Sequence, residues 1–217
     1  MLTSRTGNLT YSDPFSYNLL KNIDNLLGAM PYIRVGGLTQ DFALYNASLK
    51  TATNGTYDPD ISCDYPSTLY IGPSFFESYE TWPGVKYSHG FNLALGANSS
   101  EGWQALVDTI PLACKALAHG KLYAWEYGNE PNNYASRTQG DVRPPTWNES
   151  TYVWQWLNGT DEIRRQVQKH CPDLAFNDRL EFLAPSYDDR VEALNSTIVW
   201  EDGLDTRRDI SVYAVHK

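Results

Sequence analysis

The sequence has few cysteines, no long apolar run and no excess of basic residues, and each shortage excludes a class of protein. Its three cysteines show no metal-ligand spacing. No apolar run approaches the roughly 18 residues that a membrane-spanning helix needs. The net charge is −9 and the lysines and arginines are scattered, which argues against a nucleic-acid partner. With 41% hydrophobic residues, the chain is expected to form one soluble globular domain without a membrane segment.

The most informative segment is LYAWEYGNEPN, residues 122–132. Its apolar first half, bounded by glycines, is typical of a buried strand. Glu130 follows where the strand opens into a loop, and ligands of α/β proteins bind at that end of the strands. Pro131 is expected to hold Glu130 in extended geometry, and the Asn129 amide suits a sugar hydroxyl. The alternative is an ordinary exposed Asn-Glu-Pro turn.

Apolar strands alternate with amphipathic helical stretches along the chain, which predicts an α/β fold with a parallel sheet covered by helices. Strands are predicted at residues 32–36, 91–95, 122–125, 180–184 and 210–215, and a long loop at residues 46–83. Helices are predicted at residues 19–27 with a stop at Gly28, at 103–117, at 151–170 with a break at Asn158 and Gly159, and at 191–200.

Three longer stretches carry a resemblance to a known family: YIRVGGLTQD at residues 32–41, YIGPSFFESYETWPGVKYSHGFNLALG at 70–96, and PLACKALAHGKLYAWEYGNEPN at 111–132. Together they resemble glycoside hydrolase family 79, the β-glucuronidases and heparanase-like enzymes, and in particular its fungal secreted members. The resemblance implies a (β/α)8 TIM barrel followed by a β-sandwich. The five predicted strands would be barrel strands 2 to 6. Residues 1–217 would then form an incomplete catalytic barrel, without strands 1, 7 and 8 and without the β-sandwich.

The resemblance also assigns roles to individual residues. Glu130 would be the general acid/base of a retaining β-glucuronidase, and Asn129 would bind the sugar 2-hydroxyl. Gly36, Gly37 and Asp41 match the loop after barrel strand 2 that lines the subsite. Leu38, the residue that follows Gly37 in that loop, departs from the family pattern. Related enzymes often carry a polar residue at that position.

His216 matches the end of barrel strand 6, where related enzymes place a His or Tyr near the nucleophile. The nucleophilic Glu itself is expected on barrel strand 7, beyond Lys217, so this chain alone is expected to be inactive. Aromatic residues in or beside loops are candidate platforms for sugar stacking; they are Trp82, Trp147, Tyr134 and Tyr187.

Glu126 precedes Glu130 by four residues, so in a regular strand both side chains point to the barrel interior, with Glu126 deeper. Arg34 has a similar depth on the first predicted strand. Since a buried carboxylate without a partner is costly, we predict an ion pair between Arg34 and Glu126. A catalytic Glu126 is the alternative.

Seven Asn-x-Ser/Thr sequons occur where chance would give roughly two, which favours glycosylation in the secretory pathway. They begin at Asn8, Asn46, Asn54, Asn98, Asn148, Asn158 and Asn195. Chance composition is the alternative. Residues 1–10 lack the pattern of a signal peptide, and the resemblance implies that the native start lies upstream. A secreted, extracellular protein is therefore expected.

Cys114 and Cys171 fall in the later parts of predicted helices that would be neighbours in a barrel, and in an oxidising compartment they are the plausible disulfide. Cys63 would be free or paired outside this sequence. Three buried thiols are the alternative.

The expected substrate is a β-linked glucuronide or related glycoside, with no cofactor and no metal; the sequence leaves the oligomeric state open. Two further hypotheses remain beside the hydrolase: a non-catalytic carbohydrate-binding fragment, and a truncated gene product whose open sheet edges would aggregate.

Overall fold

A computed structural model describes residues 14–62, 65–137, 140–175, 180–190 and 193–217. The helices in these ranges are α1 (Pro14–Leu27), α2 (Ser100–Ala116), α3 (Glu149–His170) and α4 (Ser196–Glu201). The strands are β1 (Tyr32–Val35), β2 (Ala43–Tyr45), β3 (Thr53–Thr56), β4 (Thr68–Ile71), β5 (Lys86–Phe91), β6 (Leu122–Tyr127), β7 (Phe182–Asp188) and β8 (Ile210–His216). Short 3-10 helices lie at Leu38–Phe42, Pro73–Glu80, Pro131–Asn133 and Pro172–Leu174.

The main sheet has five strands in the order β1-β5-β6-β7-β8, and every neighbouring pair is parallel. This confirms the predicted α/β architecture with a parallel sheet. The sheet is an open half-barrel with β1 and β8 at its edges. Because all five strands run the same way, their carboxyl ends meet along one rim, where loops from different strands can build a common site.

The predicted loop at residues 46–83 is wrong. It contains β3 and β4, which join β2 in a second, three-stranded sheet, and it also contains the 3-10 helix Pro73–Glu80. These strands have only three or four residues each; β3 and β4 pair with each other, and β4 also pairs with β2, which lies before the predicted loop. β2 pairs with β4 in parallel, so neither strand is recognisable from local periodicity alone.

The bounds of all five sheet strands differ from prediction, those of β1 and β8 by one residue and those of β5, β6 and β7 by more. β5 ends at Phe91, where residues 91–95 had been predicted as the strand, because the Asn92 side chain accepts hydrogen bonds from the backbone N–H groups of Leu95 and Gly96 and turns the chain. β6 continues to Tyr127 and β7 to Asp188, beyond the predicted bounds.

The helices match the predicted positions more closely. α1 ends where expected, with Gly28 at φ +74° and its N–H bonded to the Asp24 carbonyl at 2.7 Å. α3 runs without the break predicted at Asn158 and Gly159. Gly159 is needed for packing, because a Cβ there would overlap the ring of Tyr127. The predicted helix at 191–200 begins only at Ser196, and residues 191–192 lie outside the described residues.

The core lies between the sheet and the helices α2 and α3. Its fully buried members include Ile110, Leu117, Trp125, Trp156, Ile163 and Phe182. A disulfide between Cys114 and Cys171, with Cα atoms 5.7 Å apart, joins α2 to the end of α3. Cys63 lies outside the described residues. None of the described helices is both long enough and apolar enough to cross a bilayer.

Candidate active site

Glu130 lies three residues beyond β6, on the rim formed by the carboxyl ends of the strands. Its backbone has φ 50° and ψ 55°, so the predicted extended geometry is wrong. A following proline disfavours the right-handed helical region but leaves the left-handed region open. Two hydrogen bonds hold this conformation: Glu130 N–H donates to the Ser186 carbonyl, and Asn133 N–H donates to the Glu130 carbonyl, both at 2.9 Å. The carboxylate therefore projects from a fixed backbone.

The Glu130 carboxylate is partly exposed, with 23% of its side-chain surface accessible. Nδ1 of His216, at the end of β8, donates to Oε1 at 2.9 Å, and Nδ2 of Asn133 lies 3.4 Å from Oε2. The hydrogen bond from His216 lowers the pKa of Glu130 below its ordinary value, while partial burial and the charge of Asp188 act in the opposite direction. The structure thus brings together two of the predicted site residues, one from the loop after β6 and one from the end of β8.

Asn129 is almost completely buried beside Glu130, with 1% of its surface exposed. Its Oδ1 accepts from Nη2 of Arg34 at 2.7 Å, and its backbone N–H donates to Oδ2 of Asp41 at 3.1 Å. Among the described residues, its Nδ2 has no hydrogen-bond partner. Arg34 therefore fixes the orientation of the amide and leaves Nδ2 as its unused donor.

The predicted pairing of Arg34 with Glu126 is formed within the sheet. Nε and Nη2 of Arg34 donate to Oε2 and Oε1 of Glu126, both at 2.8 Å, and Ser186 Oγ donates to Oε1 at 2.5 Å. Glu126 has no exposed surface. Three donors therefore surround the carboxylate, and the guanidinium that binds it also binds Asn129.

Asp41 is not part of a substrate surface, contrary to the prediction. It is fully buried, and its two oxygens accept from Tyr134 Oη, from Arg137 Nη2 at 2.9 Å, and from backbone N–H groups of residues 93, 94 and 129. Burial raises the pKa of the Asp41 carboxyl, and Arg137 is the largest influence in the opposite direction. With every lone pair directed at protein donors, Asp41 has a structural role.

Arg137 is the site residue that sequence reasoning missed. Its Nη2 donates to the backbone carbonyl of Asn129 as well as to Asp41, and it lies 3.5 Å from the carbonyl of Glu130. Its guanidinium also lies over the ring of Tyr134, 4.7 Å from the centroid. Arg137 therefore ties the backbone of the Asn-Glu pair to a buried anion. No local sequence pattern predicts this role of Arg137, because its partner Asp41 is 96 residues away.

Gly36 and Gly37 are explained by local packing. A Cβ at Gly36 would overlap Oε1 of Gln40, and Gly37 has φ +92°, which favours glycine. Gln40 occupies the space so created: its Oε1 accepts from Gly37 N–H at 3.1 Å, and its Nε2 donates to the Phe91 carbonyl at 3.2 Å.

A cavity of about 710 Å³ borders this region, and its lining includes Arg34, Gly36, Leu38, Gln40, His89 and Asn92. Glu130 and Asn129 are not among its lining residues. The cavity therefore borders the candidate site at Arg34 and Gly36. Burial lowers the pKa of His89 to about 3, so this ring is neutral, and its Nδ1 lies 2.5 Å from Tyr79 Oη.

A second acidic residue, Asp188, lies at the end of β7 on the same rim. Arg190 and Asn133 donate to its carboxylate, and the hydrogen bonds from Arg190 hold its pKa well below the usual range. Its backbone exchanges two hydrogen bonds with the Asn132 side chain, at 2.8 and 3.1 Å. Asn133 thus bridges Glu130 and Asp188, and the loop after β6 is fastened to β7.

The prediction of four platforms for sugar stacking is wrong, because all four side chains are buried: Trp82, Trp147, Tyr134 and Tyr187. Trp147 Nε1 donates to the Pro131 carbonyl at 2.9 Å, so this ring supports the Glu130 loop from below its surface. Among the described residues, no group of three or more His, Cys, Asp or Glu side chains is arranged to hold a metal ion.

The sequon asparagines lie mostly at the surface. Those at positions 54, 98, 148, 158 and 195 are exposed and Asn46 is half-buried, whereas Asn8 lies outside the described residues. Asn148 and Asn195 also cap α3 and α4, because Oδ1 of each side chain accepts hydrogen bonds from the first turn of the helix. This cap uses only Oδ1, so it is compatible with a glycan attached to Nδ2.

Comparison with known proteins gives consistent matches. The chain is 52% identical over 210 residues to a β-glucuronidase of Neurospora crassa and 50% identical over 210 residues to a β-glucuronidase of Aspergillus niger. Both matches cover 97% of this chain, which spans 38% of the length of each relative. No protein-family model matches the chain.

A solved structure is also similar, with a TM-score of 0.67 and 27% sequence identity: a 4-O-α-L-rhamnosyl-β-D-glucuronidase from Fusarium oxysporum 12S in complex with Rha-GlcA. The match covers 92% of this chain and 39% of that one. The sequence matches and the structural match therefore point to the same kind of protein, since all three are glucuronidases. The chain belongs to a glucuronidase-type family of glycoside hydrolases, consistent with glycoside hydrolase family 79.

Proposed function

We propose that this chain supplies the acid/base half of a retaining β-glucuronidase, with Glu130 as the general acid/base. The observation that carries the proposal is the position of Glu130: a partly exposed carboxylate, on a fixed backbone, at the rim of a parallel sheet. In a retaining mechanism this group protonates the departing glycosidic oxygen and then deprotonates the attacking water.

Asn129 is proposed to bind the sugar beside the scissile bond. Its Oδ1 is held by Arg34, so the amide can offer only Nδ2 as a donor. A hydrogen bond from Nδ2 to the sugar 2-hydroxyl would strengthen as charge develops at the anomeric centre. A small opening at the rim is required for that contact, because Nδ2 is buried.

The pKa of Glu130 bears on what the rest of the enzyme must supply. A general acid works best when its pKa lies near the working pH, whereas His216 lowers the pKa of Glu130 here. The retaining mechanism places a second carboxylate about 5 Å from the first, and that like charge would raise the pKa of the acid. We propose that this carboxylate, the nucleophile, comes from barrel strand 7, and that β1, β5, β6, β7 and β8 correspond to barrel strands 2 to 6.

On this assignment, residues 1–217 form an incomplete catalytic barrel and are inactive alone. The proposed substrate is a β-linked glucuronide, supported by the names of the relatives and by the glucuronide-containing complex of the similar structure. The abundance of sequons supports secretion and glycosylation.

The decisive test begins with the transcript downstream of the Lys217 codon, which should encode a strand 7 Glu. The protein that contains both carboxylates is then assayed on an aryl β-glucuronide and an aryl β-glucoside. Glu130→Gln should abolish hydrolysis of a glucuronide with a poor leaving group, yet spare part of the activity on an activated aryl glucuronide, because the latter needs no proton. Added azide should restore turnover, since this nucleophile needs no general base.

The matched control is Glu101→Gln, which alters an exposed carboxylate in the first turn of α2. It should leave both activities unchanged. Full activity of Glu130→Gln on the poor substrate would remove Glu130 from the mechanism. Binding of glucuronide without hydrolysis by the complete protein would favour the carbohydrate-binding alternative.

A further inference from the structure

A second concave surface lies on the outer helical layer, between α2 and α3. This groove has a volume of about 510 Å³, and its lining includes Trp103 of α2 and Trp154, Gln155, Asn158, Glu162 and Arg165 of α3. It shares no lining residue with the candidate active site. It therefore needs an explanation of its own.

The groove exposes a large aromatic ring. Trp154 is 64% exposed, although tryptophan is usually well buried in folded proteins. Trp103, on the other wall, is half-buried and packs against the core. An exposed indole face beside polar side chains is suited to the apolar face of a sugar ring, whose hydroxyls need polar partners.

The side chains of α3 that line the groove form one stripe. Trp154, Asn158 and Glu162 follow one another at i, i+4 and i+8, with Arg165 at i+11. Helical side chains lean toward the helix N-terminus, so the Asn158 amide leans toward the indole of Trp154. Arg165 and Glu162, which are hydrogen-bonded to each other at 2.9 Å, provide charged groups farther along the stripe.

Asn158 is exposed and begins the sequon Asn158-Gly159-Thr160. The other two residues have packing roles: Gly159 makes room for the Tyr127 ring, and Thr160 Oγ1 donates to the Trp156 carbonyl at 2.9 Å. Because Asn158 itself faces outward, a sugar attached to its Nδ2 before folding does not obstruct the packing of α3.

We propose that the groove between α2 and α3 holds the N-linked glycan carried by Asn158, with the first sugar stacked on Trp154. The attachment forms a bond between Nδ2 of Asn158 and C1 of an N-acetylglucosamine. The donor is a lipid-pyrophosphate-linked oligosaccharide of the secretory pathway; the lipid pyrophosphate leaves, and the amide loses one proton. This inference rests on the proposed secretion of the chain and is independent of its hydrolase activity.

The first measurement is the occupancy of Asn158. The 217-residue chain is secreted from a eukaryotic host that makes high-mannose glycans, and its peptides are mapped by mass spectrometry after denaturation. Asn54, an exposed sequon residue on β3, is the comparison site. The same map reports the disulfide between Cys114 and Cys171, which shows whether α2 and α3 have come together. An unmodified Asn158 overturns the proposal, whatever the state of Asn54.

The second measurement tests the seat of the glycan. An endoglycosidase that cuts between the two core sugars should release the glycan of Asn158 about five times more slowly than that of Asn54 in the folded chain, because only the unseated population reacts. Trp154→Ala should abolish the difference without changing release at Asn54. Trp200→Ala, which removes another exposed indole, on α4, should not.

After denaturation, the glycans of Asn158 and Asn54 should be released at equal rates in every variant. Equal rates in the folded wild-type chain overturn the proposal. So does a slow release at Asn158 that Trp154→Ala leaves unchanged, since the protection would then come from the helix and not from the indole.

Discussion

The buried pair of Asp41 and Arg137 gives the sharpest prediction for stability. We expect Asp41→Asn to destabilise the chain by roughly 3 kcal/mol or more, the usual result of removing one partner of a buried ion pair. The side chains of Asp41 and Arg137 are 0% and 2% exposed, so water cannot replace the lost carboxylate. The substituted amide would also point an N–H group at protein donors, because both carboxylate oxygens accept from N–H or O–H groups.

The assay is urea unfolding of the 217-residue chain, followed by tryptophan fluorescence, with thermal melting as a second measure. For a chain of this length, 3 kcal/mol corresponds to a fall in Tm of about 6–12 °C. Glu80→Gln is the matched control, because Glu80 pairs with Lys121 at the surface, where its side chain is 52% exposed. That substitution should cost less than about 1 kcal/mol.

A double-mutant cycle separates the pair from its surroundings. Arg137→Met alone leaves Asp41 as an uncompensated buried anion, whereas the double variant leaves neither charge. The sum of the two single changes in the free energy of unfolding should therefore exceed the change in the double variant by roughly 1–3 kcal/mol. If Asp41→Asn changes the free energy of unfolding no more than Glu80→Gln does, or if the two single effects simply add, the assigned role of the pair is wrong.

Three further predictions concern other parts of the molecule. Gly159→Ala should lower the free energy of unfolding because its Cβ would overlap Tyr127, although Gly to Ala inside a helix normally stabilises by about 1 kcal/mol; a stabilised variant in urea would contradict the packing. His216→Ala should raise the pKa of Glu130 in a ¹³C NMR titration, because its hydrogen bond now holds that pKa below 4.5; an unchanged midpoint would contradict the pair. The lowered pKa means that Glu130 stabilises the fold above pH 4.5 and loses this contribution as the pH falls through its folded-state pKa, so the acid-side loss should be smaller in the variant. Cys114→Ser opens a disulfide that links residues 57 apart and should cost about 4 kcal/mol in a comparison of unreduced proteins, while the same variant measured against reduced wild type should show little difference.

The parts of the fold that the sequence predicted are those encoded by local pattern. The apolar periodicity of α2 and α3 matches their burial, and Gly28 ends α1 as expected. The apolar residues of α1 are the exception, because none of them is buried. The pairing of Arg34 with Glu126 was predictable because strand position gives depth in a barrel and a buried carboxylate needs a cation. Each of these inferences uses only residues close in sequence, or one simple electrostatic requirement.

The parts that the sequence did not predict depend on contacts between distant segments. The strands β3 and β4 are short and gain their stability from pairing within the second sheet. The prediction of Asp41 as a subsite residue rests on the family resemblance of its loop, but Tyr134 and Arg137 enclose Asp41 from a loop more than 90 residues away. The prediction of extended geometry for Glu130 rests on the preference that a following proline imposes. That preference leaves the left-handed region open, and the hydrogen bond to the Ser186 carbonyl holds Glu130 there.

The contacts around Glu130 hold both its backbone and its carboxylate, through residues from several elements. Its backbone is held by Ser186 from β7, and the neighbouring Asn129 is held by Asp41, Arg34 and Arg137. None of these anchors touches the Glu130 carboxylate, whose own contacts are with His216 and Asn133. His216 therefore acts on the carboxylate, whereas Asn133 contacts both the carboxylate and the backbone carbonyl of Glu130. Arg137, which holds Asn129, also lowers the pKa of Glu130 through its charge. If Glu130 is the general acid/base of the complete enzyme, as proposed, Arg137→Met should impair catalysis by that enzyme by moving Glu130, whereas His216→Ala should shift the pH dependence and leave the position of Glu130 unchanged.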